Sequence, residues 1–249
     1  MATAAAAAIV FVISAAVWST RDGERFGLPK SYSTAHGEQM VQQLPDGSVL
    51  HLNTDSEVTV RYSHGERLIE LERGEALFQV THDSKRRFHV AAGQAGVLAV
   101  GTQFDVYRKP AAVTVTVVAG AVAVFTDAAP QAALQVGAGY QVEIGSQVGS
   151  PRPVDAHAAV AWLERQIAFE DRPLGEVAEE FNRYGGVLIE IVDPDLRAMP
   201  ISGAFDAYDT DSFAAFLETL SGVLVQKTPT RIRVLKLIPA NREPPPIAQ

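Results

Sequence analysis

The sequence predicts a mainly β chain with an α+β part: an all-β domain of solenoid-like or sandwich-like type, followed by a doubled β-α-β domain. Three observations predict this class. Short apolar runs recur about every ten residues over the first half of the chain, the apolar spacing turns helical after Asp155, and an internal repeat follows. With 249 residues, the chain is long enough for two domains that each bury a core.

The N-terminal segment contains no charged side chain between Met1 and Arg21. At about 1.5 Å per residue, this length can cross a hydrocarbon core of about 30 Å. We therefore expect a transmembrane helix over residues 1–20 and a connector over residues 21–38. A signal peptide and an Ala-rich soluble helix are the alternatives. No basic residue precedes the span, and the first one after it is Arg21. Applied on its own, the positive-inside rule would place the C-terminal side in the cytoplasm. The charges alone do not settle the orientation.

The all-β domain is expected over residues 39–145. Its eleven apolar runs are separated by Gly, Pro and Asp turn signals, and no helical pattern lies between them. The strand around Val115 shows the alternation expected of a half-buried strand, because valines and threonines fall on opposite faces. The runs are VLHL, VTVRY, LIEL, ALFQV, RFHVA, VLAV, FDVY, VTVTVV, AVAVF, AALQV and YQVEI.

Two of these runs meet at Gly74 in the stretch LIELERGEALFQV, which carries acidic residues on both sides of the glycine. Glu70 and Glu72 alternate with the apolar positions and are expected on a solvated face. General acid–base catalysis would need a desolvated or paired carboxylate, which the pattern does not indicate. We therefore predict a corner of the sheet at Gly74.

Residues 146–160 are rich in Gly, Ser and Pro, which predicts a linker. We expect the doubled β-α-β domain over residues 161–238 and a disordered tail over residues 239–249. Ala168 to Glu190 align with Ala204 to Gln226 without a gap, at a shift of 36 positions. Each copy reads strand, helix, strand, and each helix ends before a glycine. RIRVLKL is expected as a final strand.

Composition and motifs exclude several function classes. The formal charge of −8 argues against nucleic-acid binding, and the absence of cysteine excludes disulfides and thiolate chemistry. The sequence shows no metal-ligand spacing, phosphate loop or nucleophile motif, so we expect no metal, no cofactor and no enzyme activity. A binding module is the interpretation that remains. The alternatives are an envelope polysaccharide-active enzyme using Glu70, Glu72 and Asp105, and a structural or secretion-associated envelope module.

The sequence resembles the FecR-type transmembrane anti-sigma regulators of cell-surface signalling, over residues 39 to 237. The matching positions in the all-β part lie in LPDGSVLHLNTDSEVTV, in RGEALFQV and in VGTQFDVY; in the second part they lie in AWLERQIAFEDRPLGEVAEEFNRY. We expect these motif residues to have structural roles: Pro45, Asp46, Gly47, Asn53, Gly74, Glu75, Gly101, Thr102, Phe104, Trp162, Pro173, Leu174, Asn182 and Tyr184.

The resemblance implies a periplasmic sensor, anchored in the inner membrane by one span, with residues after about 20 in the periplasm. Its implied partner is the signalling domain of an outer-membrane TonB-dependent receptor, in iron-siderophore uptake. The second domain is similar to the short N-terminal domain of secretins and TonB-dependent transducers. The family's cytoplasmic sigma-binding domain has no counterpart before the span, so a sigma factor is expected as a partner only if such a domain precedes Met1.

Three aromatic residues of the second domain are candidates for partner contact. Phe216 stands where the first copy of the repeat has Glu180, which makes it apolar for an outward face. A position in the core is the alternative for this residue. Phe205 and Tyr208 lie in the segment before the same helix and are candidates for the same reason.

Overall fold

The computed structural model describes residues 27–237. The predicted transmembrane helix over residues 1–20 and the predicted tail over residues 239–249 lie outside the described residues. Within residues 27–237, no helix is both long and apolar enough to cross a membrane.

The first part of the described chain is one curled sheet of 13 strands with few helical residues, so the prediction of a mainly β protein is confirmed. Each predicted apolar run coincides with a strand over most of its length. The strands are β1 (Lys30–Ser33), β2 (Met40–Gln43), β3 (Val49–Leu52), β4 (Glu57–Tyr62), β5 (Glu66–Gln79), β6 (Arg87–Ala92), β7 (Ala95–Ala99), β8 (Gln103–Arg108), β9 (Val113–Ala119), β10 (Ala121–Thr126), β11 (Leu134–Gly137), β12 (Tyr140–Ile144) and β13 (Arg152–Pro153).

The bend of β5 at Gly74 divides the sheet into two halves. Before Gly74, β5 pairs with β4 and β6; after it, β5 pairs with β3 and β8. Gly74 has φ +82°, and a Cβ at this position would overlap Ser56 Oγ and lie 2.6 Å from the Asp55 carbonyl oxygen. Only glycine fits this backbone and this space. The predicted corner therefore exists, within one continuous strand rather than between two.

We call the part built on β1, β4, β6, β7, β10 and β11 the first half-sheet, and the part built on β2, β3, β8, β9, β12 and β13 the second half-sheet. Their inner faces share one core. Phe78 links them, because its ring stacks on Phe104 of the second half-sheet at 5.3 Å and meets the edge of Phe88 of the first at 5.8 Å.

A buried ion pair holds the Pro45–Gly47 turn to β5. Arg67 Nη1 lies 2.6 Å from Asp46 Oδ2, and the two side chains are 0% and 2% exposed. Ser48 and Tyr62 also donate hydrogen bonds to Asp46, and Arg67 donates to the carbonyl of Arg86. Burial acts to raise the pKa of Asp46, but these hydrogen bonds outweigh it and lower the pKa.

The second part of the described chain is an α+β domain with its own core. β14 pairs with β16 antiparallel, while β18 pairs with β15 in parallel and with β17 antiparallel. Its elements are α1 (Ala156–Ala159), a 3₁₀ turn (Ala161–Glu164), β14 (Gln166–Pro173), α2 (Leu174–Phe181), β15 (Leu188–Ile191), α3 (Pro194–Arg197), β16 (Pro200–Asp206), α4 (Thr210–Glu218), β17 (Val223–Thr228) and β18 (Arg231–Lys236).

The two longer helices form where the apolar stripes predict them. In α2 the stripe from Leu174 to Phe181 is buried, and Asn182 ends the helix by exchanging two side-chain hydrogen bonds with the backbone of Ile189. The Asp209 side chain accepts a hydrogen bond from the backbone N–H of Ser212 and so caps α4. The rings of Phe181 and Phe213 stack at 4.2 Å, so α2 and α4 meet through their apolar faces.

Short elements lie within the segments expected to be a connector and a linker. β1 lies within the expected connector over residues 21–38 and pairs with β4, because Tyr32 packs against the core of the β domain. The expected linker over residues 146–160 contains β13, which pairs with β12, and α1, whose N-cap is Asp155. The polar composition of this segment gives no local pattern that would predict these short elements.

Candidate functional site between the two domains

The outer face of the second half-sheet is covered by the second domain. On β5 and β8, inner positions such as Phe78 and Phe104 alternate with outer positions, yet the outer residues Glu75, Leu77 and Asp105 are also buried. Leu77 belongs to the hydrophobic core of the second domain. The two domains therefore share an interface in which acidic groups lie beside an apolar contact.

Arg183, just after the end of α2, is the centre of this interface. Its guanidinium lies 2.6 Å from Glu75 Oε2 across the domain boundary and 2.6 Å from Glu180 Oε1 on α2. It also lies over the ring of Tyr107 on β8, 4.2 Å from the ring centroid. One cation thus contacts a strand corner, an aromatic ring and a helix end, which stabilises their relative positions.

Further hydrogen bonds extend the interface. Asn53 Nδ2 donates to Glu75 Oε2 at 2.6 Å and to the Tyr184 hydroxyl at 2.7 Å. Thr54 Oγ1 donates to the backbone carbonyl of Arg183 at 2.8 Å, and Gln39 Nε2 donates to the carbonyl of Trp162 at 3.0 Å. We call Asn53, Glu75, Glu180, Arg183 and Tyr184 the interdomain cluster.

Burial shapes the protonation of the groups around the cluster. Burial raises the pKa of Asp105 well above its ordinary value, and the charge of Glu75 adds to this shift, whereas Arg183 acts in the opposite direction. Burial also raises the pKa of Tyr107 to about 12. For Arg183, burial acts to lower the pKa, but Glu75 and Glu180 outweigh it and raise it, so the guanidinium stays charged.

A cleft of about 720 Å³ opens beside the cluster, between the second half-sheet and the second domain. Strand residues such as Thr114 and Thr116 form one wall, and α1, β14 and α2 form the other. Within residues 27–237, no three His, Asp or Glu side chains are arranged to hold a metal ion. The lining is mainly polar, with charged side chains on both walls.

The motif residues predicted to have structural roles separate into two groups. The first group lies at turns and in cores: Gly47 and Gly101 have positive φ values, Phe104 is fully buried, and Pro173 precedes the buried Leu174 at the start of α2. Pro45, Asp46 and Thr102 belong to the same group, as do Gly74 and Asn182.

The second group meets at the interface between the domains. It comprises Asn53, Glu75, Trp162 and Tyr184, which come from distant parts of the sequence. Sequence reasoning missed Arg183, Asp105 and Tyr107 as members of this site. A weak signal existed for Arg183, which stands between the motif residues Asn182 and Tyr184, but its partner Glu75 is 108 residues away.

The three aromatic candidates for partner contact lie at the edge of the second core. Phe205 and Phe216 are partly buried, with ring centroids 5.3 Å apart, and both contact Phe213. Tyr208 meets the edge of Tyr184 at 5.6 Å, and Arg165 lies 4.1 Å from its ring centroid. All three keep some exposed surface, and their contact with a partner stays a prediction.

The acidic residues of the alternative enzyme hypothesis lie in different surroundings. Glu70 forms an ion pair with Arg61 at 3.0 Å, and Glu72 is exposed, whereas Asp105 is buried at the cleft. The structure does not bring them together as a pair of carboxylates in one groove.

Comparison with known proteins agrees with this architecture. Residues 30–123 match the family model described as FecR protein. Two solved structures of candidate anti-sigma factors from Parabacteroides distasonis are similar, each with a TM-score of 0.72. One is 28% identical and covers 85% of this chain and 100% of its own; the other is 27% identical and covers 84% and 100%. No curated protein sequence matches the chain significantly.

Fold and comparisons together indicate a regulator in signalling, and the anti-sigma factors that the chain resembles are a regulatory class. More specifically, residues 30–123 match the FecR family model, and the resemblance of the chain to FecR-type anti-sigma regulators is confirmed. We call the β domain that contains these residues the FecR domain after this match.

Proposed function

We propose that the protein is the periplasmic sensor of an anti-sigma regulator held in the inner membrane by one span at residues 1–20. It relays the state of an outer-membrane TonB-dependent receptor to an extracytoplasmic-function sigma factor, in iron uptake. The observation that carries the proposal is the likeness of both domains to candidate anti-sigma factors, whose solved chains are covered over their full length.

In this proposal the second domain, a doubled β-α-β unit similar to the short N-terminal domain of secretins and TonB-dependent transducers, contacts the receptor. The interdomain cluster then passes the signal to the FecR domain. Support comes from the ion pair of Arg183 with Glu75, which connects the end of α2 to the corner of β5. A rigid contact of this kind transmits a displacement better than a flexible linker does.

Calorimetry with the full chain in mild detergent tests the proposal. The titrant is the periplasmic signalling domain of a TonB-dependent receptor encoded beside the gene. We expect saturable binding that weakens in Phe205→Ala and Tyr208→Ala but not in Leu134→Ala, an exposed apolar control on β11. A folded chain that binds no neighbouring receptor domain would rule out the receptor relay.

A further inference from the structure

The cations whose side chains make no polar or ring contact within residues 27–237 all belong to the first half-sheet and its loops. They are Lys30, Lys85 and Arg87, and all three are exposed. Every other lysine and arginine in this range forms an ion pair, a hydrogen bond or a contact with an aromatic ring. In a chain with a formal charge of −8, these three residues form a local excess of positive charge.

The strand register places the three cations at one end of the first half-sheet. Arg87 starts β6 and lies beside Glu66, the first residue of β5, and Lys85 is in the loop before it. β1 starts with Lys30 at the same end, where β4 and β7 finish. The chain also enters the domain here, because the backbone N–H of Gly27 donates to the carbonyl at the end of β4. We call this end of the first half-sheet the entry end.

The loop that carries Lys85 is held in place by a buried side chain. The guanidinium of Arg67 donates to the carbonyl of Arg86 at 2.9 Å and to the carbonyl of Thr81 at 3.0 Å. Arg67 is itself fixed by its ion pair within the core. The backbone on both sides of Lys85 therefore has a defined position, and the cation points into solvent from a fixed support.

The acidic residues at the entry end are in contact with other groups. Asp83 lies 2.9 Å from Arg86, and Glu66 lies 3.1 Å from His89. The carboxylates of this surface are thus already engaged within the domain. The positive charge that remains requires an anionic partner from outside the domain.

Two exposed apolar side chains accompany the cations. Leu28 is 93% exposed and Val100 is 46% exposed. Val100 follows the last residue of β7, which pairs with the residue after Arg87, so Val100 lies beside Arg87. Basic side chains next to exposed apolar ones are typical of surfaces that lie in the interface between a membrane and water.

We propose that the entry end rests on the membrane surface, where Lys30, Lys85 and Arg87 contact the headgroups of anionic phospholipids. This inference rests on the proposed function, because it needs the span at residues 1–20. Residues 21–27 reach about 25 Å at most, so such a span keeps the entry end close to the lipid headgroups. The opposite end of the six-residue strands β4 and β6 lies about 20 Å further away.

Fluorescent probes at both ends of the sheet test this inference on the full chain. The chain contains no cysteine, so single cysteines can be labelled at chosen positions. Ser84→Cys places the probe at the entry end, and Ala128→Cys places it beyond β10 at the opposite end; both positions are exposed. The chain is reconstituted into vesicles of phosphatidylcholine alone or of an equal mixture with the anionic phosphatidylglycerol. A nitroxide on some of the headgroups quenches a probe that touches the surface.

We expect strong quenching at position 84 and little at position 128 in the anionic vesicles. Lys85→Gln with Arg87→Gln removes two cations and is expected to weaken the contact about thirtyfold, since each cation near an anionic surface strengthens binding about fivefold. Quenching at position 84 then falls to the level of position 128. The matched control, Lys227→Gln with Lys236→Gln, removes two partly exposed cations of the second domain and is expected to leave the quenching unchanged.

The remaining outcomes separate this inference from the proposed function. Quenching at position 84 that is equal in both kinds of vesicle, or that survives Lys85→Gln with Arg87→Gln, would overturn the contact and leave the span intact. Equal quenching at positions 84 and 128 would do the same. Flotation on a density gradient examines the span by itself: a chain that floats with neither vesicle would refute the span and, with it, this inference.

Discussion

Replacing Arg183 with methionine leaves the carboxylate of Glu75 buried without its cation. The Glu75 side chain is 8% exposed and that of Arg183 is 17% exposed, so water replaces the lost contact poorly. Removing one partner of a buried ion pair costs about 3–5 kcal/mol. Since Asn53 still donates to Glu75 at 2.6 Å, we expect the lower end, about 3 kcal/mol of unfolding free energy.

The assay is denaturant unfolding of the full chain, followed by circular dichroism and tryptophan fluorescence. Arg197→Met is the matched control, because its ion pair with Glu179 has side chains 52% and 69% exposed and is expected to contribute under about 1 kcal/mol. Adding Glu75→Gln to Arg183→Met removes the unpaired charge and is expected to restore about half of the loss. Equal losses in Arg183→Met and Arg197→Met would refute the assignment of Arg183 as the centre of the interface.

Three further predictions concern the corner, the cleft and the turn. Gly74→Ala is expected to lower the unfolding free energy by at least about 3 kcal/mol, because the new Cβ would overlap Ser56. The control Gly139→Ala, with φ +80° and nothing within 4 Å of the added Cβ, is expected to lose only about 1 kcal/mol, from backbone strain alone. Similar losses of the two variants in denaturant titrations would contradict the steric explanation. Asp105 has a raised pKa in the folded state, so the wild type loses stability as the pH rises above about 4, by up to about 1.4 kcal/mol per pH unit, until the folded-state pKa is passed. Asp105→Asn lacks this dependence of stability on pH and is expected to be more stable than the wild type at pH 8 but not at pH 4. Thermal melts in which the stabilities of both proteins change in parallel with pH would contradict this prediction. Asp46→Asn leaves Arg67 buried without a counter-charge and is expected to cost about 3 kcal/mol at pH 7. That difference should shrink as the pH falls through the lowered folded-state pKa of Asp46, and a constant difference down to pH 2 would argue against the ion pair.

The strands of the β domain could be predicted because each carries a local pattern. Alternation in VTVTVV and the turn glycines between runs depend only on neighbouring residues, and Gly74 could be identified as a corner in the same way. β1 and β13 could not be found, because each is short and polar and carries no alternating pattern of its own. β1 is held by β4, and β13 is held by β12.

The site was harder to predict than the fold, for a physical reason. Glu75 is a charged residue, and the alternation along β5 places its side chain on the face of the strand opposite the core. In the β domain alone, that face would be exposed to solvent. It is buried only because a second domain covers that face. Its partner Arg183 lies 108 residues away, and no local pattern reports a contact between domains.

Coupling of the FecR domain to the second domain through Arg183 is tested most directly in cells. For the proposed relay, the measurement is transcription from a promoter that depends on a sigma factor encoded beside the gene, with and without the ligand of a neighbouring TonB-dependent receptor, in strains producing wild type, Arg183→Met or Arg197→Met. Immunoblotting sets equal protein levels. The account predicts that Arg183→Met loses the response to the ligand while Arg197→Met keeps it. A full response in Arg183→Met at wild-type protein level would contradict signal transfer through this interface.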